Sequence, residues 1–116
     1  MPDKRTIEAA RQYLREEPDA TLRAECEALL NDPASEAELK DRFLGLLSFG
    51  TAGMRGKMQA GFTRLNRVTV AKAAYAISAW AKAKDKPIVV GYDGRLNSRV
   101  GGTILFRERL VNLANR

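Results

Sequence analysis

The first third of the chain places apolar residues at a helical period. Ile7, Ala10 and Leu14 recur at spacings of three and four before Pro18 interrupts the run. Leu22, Cys26, Leu29 and Leu30 mark a second amphipathic helix that ends near Asn31-Asp32-Pro33. Ser35 and Glu38 have the spacing of a capping box ahead of Leu39, Phe43, Leu46 and Leu47, which predicts a third helix. Cys26 lies on an apolar stripe, so a core thiol is expected rather than a nucleophile. These helices carry no evident chemistry, and packing is their expected task.

The pattern changes after residue 47. A glycine-rich stretch runs into Lys57-Met58-Gln59, which reads as a weak strand with its flanking turn. Thr69 precedes a helical stripe of Val70, Ala73, Ala74, Ile77 and Ala81, which ends in the basic turn Lys82 to Lys86 and Pro87. Positive charge there complements the helix dipole, and Trp80 near Ile77 is expected to pack. Ile88-Val89-Val90 is a short unbroken apolar run, the signature of a strand buried on both faces. Strand, helix, strand in that order predicts a parallel βαβ unit with a right-handed crossover. The fold class is therefore α/β: a helical lead-in over 1–47, then an incomplete βαβ(α) unit over 48–116.

The densest chemistry lies in Ser48-Phe49-Gly50-Thr51-Ala52-Gly53-Met54-Arg55-Gly56. Glycines admit positive φ and close backbone approach, and successive N–H groups in such a turn can cradle an anion. Arg55 adds a planar fork suited to phosphate or carboxylate. Spacing excludes a Walker A loop, because Thr51 and Met58 occupy its required Gly and Ser/Thr positions around Gly56-Lys57. It also excludes the dinucleotide fingerprint, because Gly50, Gly53 and Gly56 recur every third residue. An ordinary glycine-rich turn with a solvated arginine is the competing reading. Asp93 and Arg95 follow the carboxyl end of the second expected strand, where open α/β sheets place ligands. Asp93 equally suits an Asx turn onto Gly94, and Arg95 could pair with a carboxylate and hold that turn.

Composition narrows the classes. The 116 residues make one domain or part of one, with 45% hydrophobic residues for a modest core. The net charge of +6 is spread along the chain with few aromatics, which argues against a nucleic-acid face. A single cysteine excludes an internal disulfide and points to a reducing compartment, hence a cytoplasmic protein. The absence of histidine removes Ser–His catalysis and most zinc sites. No stretch is apolar enough for a signal core or a bilayer span, so no membrane partner is expected.

Phe49 to Gly56 resembles the opening signature of the α-D-phosphohexomutases, the phosphoglucomutase and phosphomannomutase superfamily. Gly61-Phe62-Thr63-Arg64-Leu65-Asn66 is similar to the segment leading into the first helix of its phosphoglucomutase/phosphopentomutase branch. Val89-Val90-Gly91-Tyr92-Asp93-Gly94-Arg95-Leu96-Asn97-Ser98 resembles the family's second strand and turn. The likeness covers about residues 40 to 100 and implies the N-terminal part of domain I.

That resemblance implies an isomerase of carbohydrate metabolism. It would move a phosphoryl group within a phosphosugar through an enzyme phosphoserine, with a sugar bisphosphate as activator and intermediate. It implies Mg²⁺ in full-length members. Thr51, Ala52, Gly53, Arg55, Gly56, Asp93 and Arg95 are the residues expected to support the phosphate site, with Arg55 foremost. Lys57 falls outside the signature and is expected to be solvated. The family's serine loop of the type Thr-Ala-Ser-His-Asn-Pro, its Asp-rich metal loop and its sugar loop are not among the 116 residues. No catalytic serine or metal ligand carries over, and the chain alone is expected to be inactive.

After Val100 the sequence departs from the family, with Gly101-Gly102-Thr103-Ile104 before a helical stripe of Phe106, Leu110, Leu113 and Ala114. A shifted or prematurely ended reading frame is the expected cause, and a natural short protein is the other reading. A sheet this small leaves edges unpaired, so self-association through them is expected. A stand-alone phosphosugar-binding or regulatory module remains the alternative function.

Overall fold

A computed structural model describes residues 3–51, 53–91 and Gly94. The described elements are α1 (Lys4–Glu16), α2 (Ala20–Asn31), α3 (Glu36–Phe43), β1 (Phe49–Gly50), β2 (Gly53–Met54) and α4 (Arg67–Ala83). They fall in two compact units, Met1–Thr69 and Val70–Arg116. No helix among the described residues is long and apolar enough to cross a membrane.

In the first unit, polar residues set the helix starts. Asp3 accepts from Thr6 N at 2.8 Å and caps α1, while Asp19 accepts from Thr21 N at 2.8 Å and caps α2. The expected capping box at Ser35 does not form. Its hydroxyl donates backward to the carbonyls of Leu29 and Asp32, so Ser35 joins the α2–α3 turn and gives α3 no side-chain cap. The third helix also ends sooner than the apolar spacing suggested. Leu44 N bonds Lys40 O at 3.1 Å, and Leu46 and Leu47 lie beyond the helix.

The first three helices, the loop after the glycine stretch and the start of α4 share one core: Ala10, Tyr13, Cys26, Leu39, Phe43, Ala60, Phe62 and Val68. Tyr13 stands edge-on to Phe43 and Phe62, with ring centroids 5.5 and 5.6 Å away. Cys26 is fully buried, as expected, and its thiol points to Ala10 O at 3.6 Å. Burial first, then the nearby Glu27 and Glu25 carboxylates, push that thiol up to about 12.

The α/β class holds, but the strands lie elsewhere than the pattern suggested. β1 and β2 pair antiparallel within the glycine stretch, and Lys57–Gln59 contributes only one parallel bridge, Met58 to Leu65. The glycine stretch thus pairs with itself, Phe49–Gly50 against Gly53–Met54.

The second unit contains most of α4. Ala74, Ser78 and Ala81 are buried at helical spacing, whereas Trp80 is 57% exposed and Ile77 is also exposed, contrary to their expected packing role. The helix ends in a Schellman motif: Lys86 N bonds Ala81 O at 2.8 Å and Asp85 N bonds Lys82 O at 3.1 Å. Asp85 takes the left-handed position with φ 52°. Ile88, Val89 and Val90 join no strand among the described residues, and Val89 is 95% exposed. The parallel crossover expected from this run is therefore not formed among the described residues. Tail positions Phe106, Leu110, Leu113 and Ala114 lie outside them.

Candidate functional site

The glycine stretch forms a hairpin standing on a rigid base. Phe49 faces Met54 and Gly50 faces Gly53, which leaves Thr51 beyond the paired residues. Gly53 has φ +106°, a conformation that side chains rarely adopt and that closes this turn. The hairpin's near end is held by Leu47, whose N–H bonds Phe62 O at 3.2 Å. Its far end is held at Gly56, where a Cβ would lie 3.0 Å from Leu47 Cδ1, and at Lys57, whose carbonyl accepts from Leu65 N at 2.8 Å.

Of the residues expected at the phosphate site, Thr51, Gly53, Arg55 and Gly56 come together on this hairpin and its foot. Ala52, Asp93 and Arg95 lie outside the described residues. Thr51, Arg55 and Gly56 are exposed. Arg55 engages in no hydrogen bond or ion pair among the described residues. Two neighbouring arginines, Arg64 and Arg42, are engaged. Arg64 binds Asp41, Gln59 Oε1 at 3.1 Å and Thr63 Oγ1 at 2.9 Å. Arg42 has a side chain only 7% exposed and binds Glu25, Glu38 and the Ala60 carbonyl. Arg55 thus leaves a guanidinium open to an incoming oxyanion, in an exposed stretch of the hairpin's foot. Lys57 is exposed, as expected.

Electrostatic shifts mark the structural groups of the base and core. Hydrogen bonding to Arg64 and its positive charge hold the Asp41 carboxyl below its ordinary value. Burial acts to lower the Arg42 value, yet hydrogen bonds and charge from Glu25 and Glu38 outweigh it and raise the guanidinium. For Tyr13, burial first and then Glu17 push the phenol well above its ordinary range. Its hydroxyl donates to Glu17 Oε2 at 2.6 Å.

The base of the hairpin carries features that the apolar pattern did not reveal. Gly61 has φ +134°, and a Cβ there would meet Arg42 O at 2.6 Å, so loop and α3 approach at glycine distance. Thr63 N bonds the same carbonyl at 3.1 Å, and Thr63 Oγ1 bonds Asp41 O at 2.7 Å. Asn66 caps α4, which begins at Arg67, ahead of the apolar stripe that Thr69 precedes. Thr69 N donates to Asn66 Oδ1 at 3.0 Å, and Asn66 N donates back to Thr69 Oγ1 at 3.1 Å. An Asn-x-x-Thr ahead of an apolar stripe is a reciprocal cap with Thr in place of Glu, and that signal was present in the sequence. No three His, Cys, Asp or Glu side chains gather to hold a metal among the described residues.

The family model described as "Phosphoglucomutase/phosphomannomutase, alpha/beta/alpha domain I" matches residues 46–106, which include the hairpin, its base and α4. A phosphoribomutase of Saccharomyces cerevisiae is 38% identical over 65 residues, 53% of this chain and 10% of the yeast protein. A glucose 1,6-bisphosphate synthase of Homo sapiens is 35% identical over 89 residues, 72% of this chain and 14% of the human protein. A phosphoglucomutase of Staphylococcus aureus is 41% identical over 63 residues, 53% of this chain and 11% of the bacterial protein. The aligned stretch thus spans between 10% and 14% of these relatives' own lengths. No solved structure matches. With the family's domain matched over more than half of its residues, this chain belongs to the phosphoglucomutase/phosphomannomutase family, in the alpha/beta/alpha domain I.

Proposed function

We propose that the chain supplies the domain I phosphate cradle of a phosphosugar mutase, an isomerase of carbohydrate metabolism acting by intramolecular phosphoryl transfer. The observation that carries this reading is the unengaged Arg55 at the foot of a glycine hairpin that is clamped at both ends. Phosphoryl transfer depends on positioning and on neutralising oxygen charge, and a preset fork beside exposed backbone suits both. Arg55 binds phosphate oxygens, Gly53 and Gly56 let the backbone approach them, and the Thr51 hydroxyl lies at the rim. Ala52, Asp93 and Arg95 complete the proposed support.

In this reading a phosphoserine donates the group and a sugar bisphosphate is the intermediate. The family implies Mg²⁺, but the acidic side chains described here do not form a set that fits it. Asp41, for one, is committed to Arg64. The 116 residues contain no serine loop of the family type, so the chain alone turns over no phosphosugar. We place it in the cytoplasm, with a phosphosugar as its ligand, no nucleic acid or membrane partner, and self-association through the hairpin edges.

Calorimetric titration of the chain with glucose 1-phosphate tests the cradle. Saturable binding that weakens at least about tenfold in Arg55→Ala but not in Lys57→Ala is expected. Equal binding by both variants would refute the role of Arg55. A coupled assay for glucose 6-phosphate should read zero, and turnover by the pure chain would overturn the inactivity.

A further inference from the structure

Asn66 is a buried side chain with two distinct ends. Its oxygen accepts from Thr69 N at 3.0 Å and caps α4. Its NH₂ group donates to Gln59 O at 2.9 Å and Gly61 O at 2.7 Å, with Arg64 O a further 3.5 Å neighbour. The orientation of the amide follows from those surroundings, since only the NH₂ can donate to carbonyls and only the oxygen can accept an N–H. Both hydrogens are therefore spent on holding the 59–61 turn against the start of α4.

That turn belongs to the platform on which the hairpin stands. Leu47, before the hairpin, bonds Phe62 O at 3.2 Å, and Lys57, after it, accepts from Leu65 N at 2.8 Å. Phe62 and Leu65 lie between Gly61 and Asn66, inside the segment that Asn66 closes. Thr69 Oγ1 reinforces the closure by donating to Arg64 O at 2.7 Å.

We propose that Asn66 is a positioning residue for the phosphate hairpin: its amide NH₂ locks the 59–65 platform that carries both ends of the hairpin. The value of this to phosphate binding rests on the cradle reading above; the locking itself does not. Asn66→Asp separates the two ends of the side chain. An aspartate keeps the cap, which favours an acceptor at a helix N-terminus, but cannot donate to the Gln59 and Gly61 carbonyls. Asn66→Ser also keeps an acceptor for the cap without adding a buried charge, and its shorter side chain with one O–H can replace at most one of the two donations, which guards against a misfolded aspartate variant.

Amide hydrogen exchange and ¹H–¹⁵N spectra of the 116-residue chain read the result. In both variants the Leu47 and Leu65 amides should exchange about tenfold faster or more, and the Gly50, Gly53 and Gly56 resonances should shift. The Thr69 amide should keep its protection, which a loss of the cap would remove. Wild-type protection at Leu47 and Leu65 in a folded variant would overturn the inference, whatever phosphate does. Titration with inorganic phosphate supplies the second arm: binding by wild type that drops about tenfold in either variant supports the link to the cradle. Equal phosphate affinity in wild type and variants would overturn that link. A wild-type chain that ignores phosphate would sink the cradle reading, and the exchange data would still decide the lock.

Discussion

Gly61→Ala should be the most damaging small substitution in the first unit. Two penalties coincide there. The backbone φ of +134° is one that a residue with a Cβ rarely adopts, at about 1–3 kcal/mol. The new Cβ would also meet Arg42 O at 2.6 Å and Arg42 Cβ at 2.9 Å, and neither can swing away as a flexible side-chain tip would. Forcing α3 and the loop apart costs about 1–3 kcal/mol more. It also stretches the Thr63 N to Arg42 O bond, now 3.1 Å. The total, about 2–6 kcal/mol, is a large share of the ~5–15 kcal/mol typical of a folded domain. Gly53→Ala is the internal control, because φ is +106° there but nothing lies within 4 Å of the added Cβ. It should lose only the conformational part, about 1–3 kcal/mol. Gly56→Ala meets only the flexible Leu47 Cδ1 at 3.0 Å and should lose less still. Urea unfolding followed by far-UV circular dichroism ranks the three. A Gly61→Ala loss below about 0.5 kcal/mol, or smaller than that of Gly53→Ala, would refute the close-approach argument.

Other substitutions and conditions probe other links. Tyr13→Phe leaves the buried Glu17 carboxylate without its 2.6 Å donor and should lose about 1–3 kcal/mol by urea unfolding, though the ring packing is unchanged. Arg42→Met should destabilise by about 1–3 kcal/mol, less than for a fully buried pair, because the Glu25 and Glu38 side chains are 33% and 50% exposed; a neutral result would mean the ion pairs contribute nothing net. Asp3 and Asp41 both sit below the unfolded value of 3.8, so their support is complete above that value and disappears as pH falls through their lower folded values; a urea midpoint unchanged from pH 6 to pH ~2.5 would contradict this. With its thiol raised from 9.0 to about 12, Cys26 should react with iodoacetamide at pH 8 roughly a thousandfold more slowly than an unfolded control.

Sequence periodicity located α1, α2 and α4 because each buries a stripe that a 3.6-residue period reveals. It said little about polar residues that face inward. Arg42 reads as one more charge on a surface helix, and only the approach of Glu25, Glu38 and Ala60 makes it a core residue. Tyr13 was overlooked for a related reason, since its burial depends on Glu17 receiving its hydroxyl hydrogen. Ser35 had the right spacing for a cap, but competing carbonyls at the end of α2 took its hydroxyl. The glycine stretch was more legible than the strands after it. Glycine spacing and Arg55 marked the hairpin, while the strand expected at Ile88 to Val90 depends on a partner that local pattern does not supply. Asn66 lay inside a recognised segment, yet its double role appears only when Gln59 and Gly61 turn their carbonyls toward it.

If the hairpin with Arg55 is a phosphate site, a phosphosugar titration followed by ¹H–¹⁵N spectra reads it at the loop itself. Glucose 1-phosphate should shift the amides of Gly50, Thr51, Gly53, Arg55 and Gly56 saturably, and Arg55→Ala should abolish the shifts while leaving the core resonances of Cys26 and Phe43 in place. Shifts scattered over Lys82, Lys84 and Lys86 instead, or loop shifts that persist in Arg55→Ala, would contradict it.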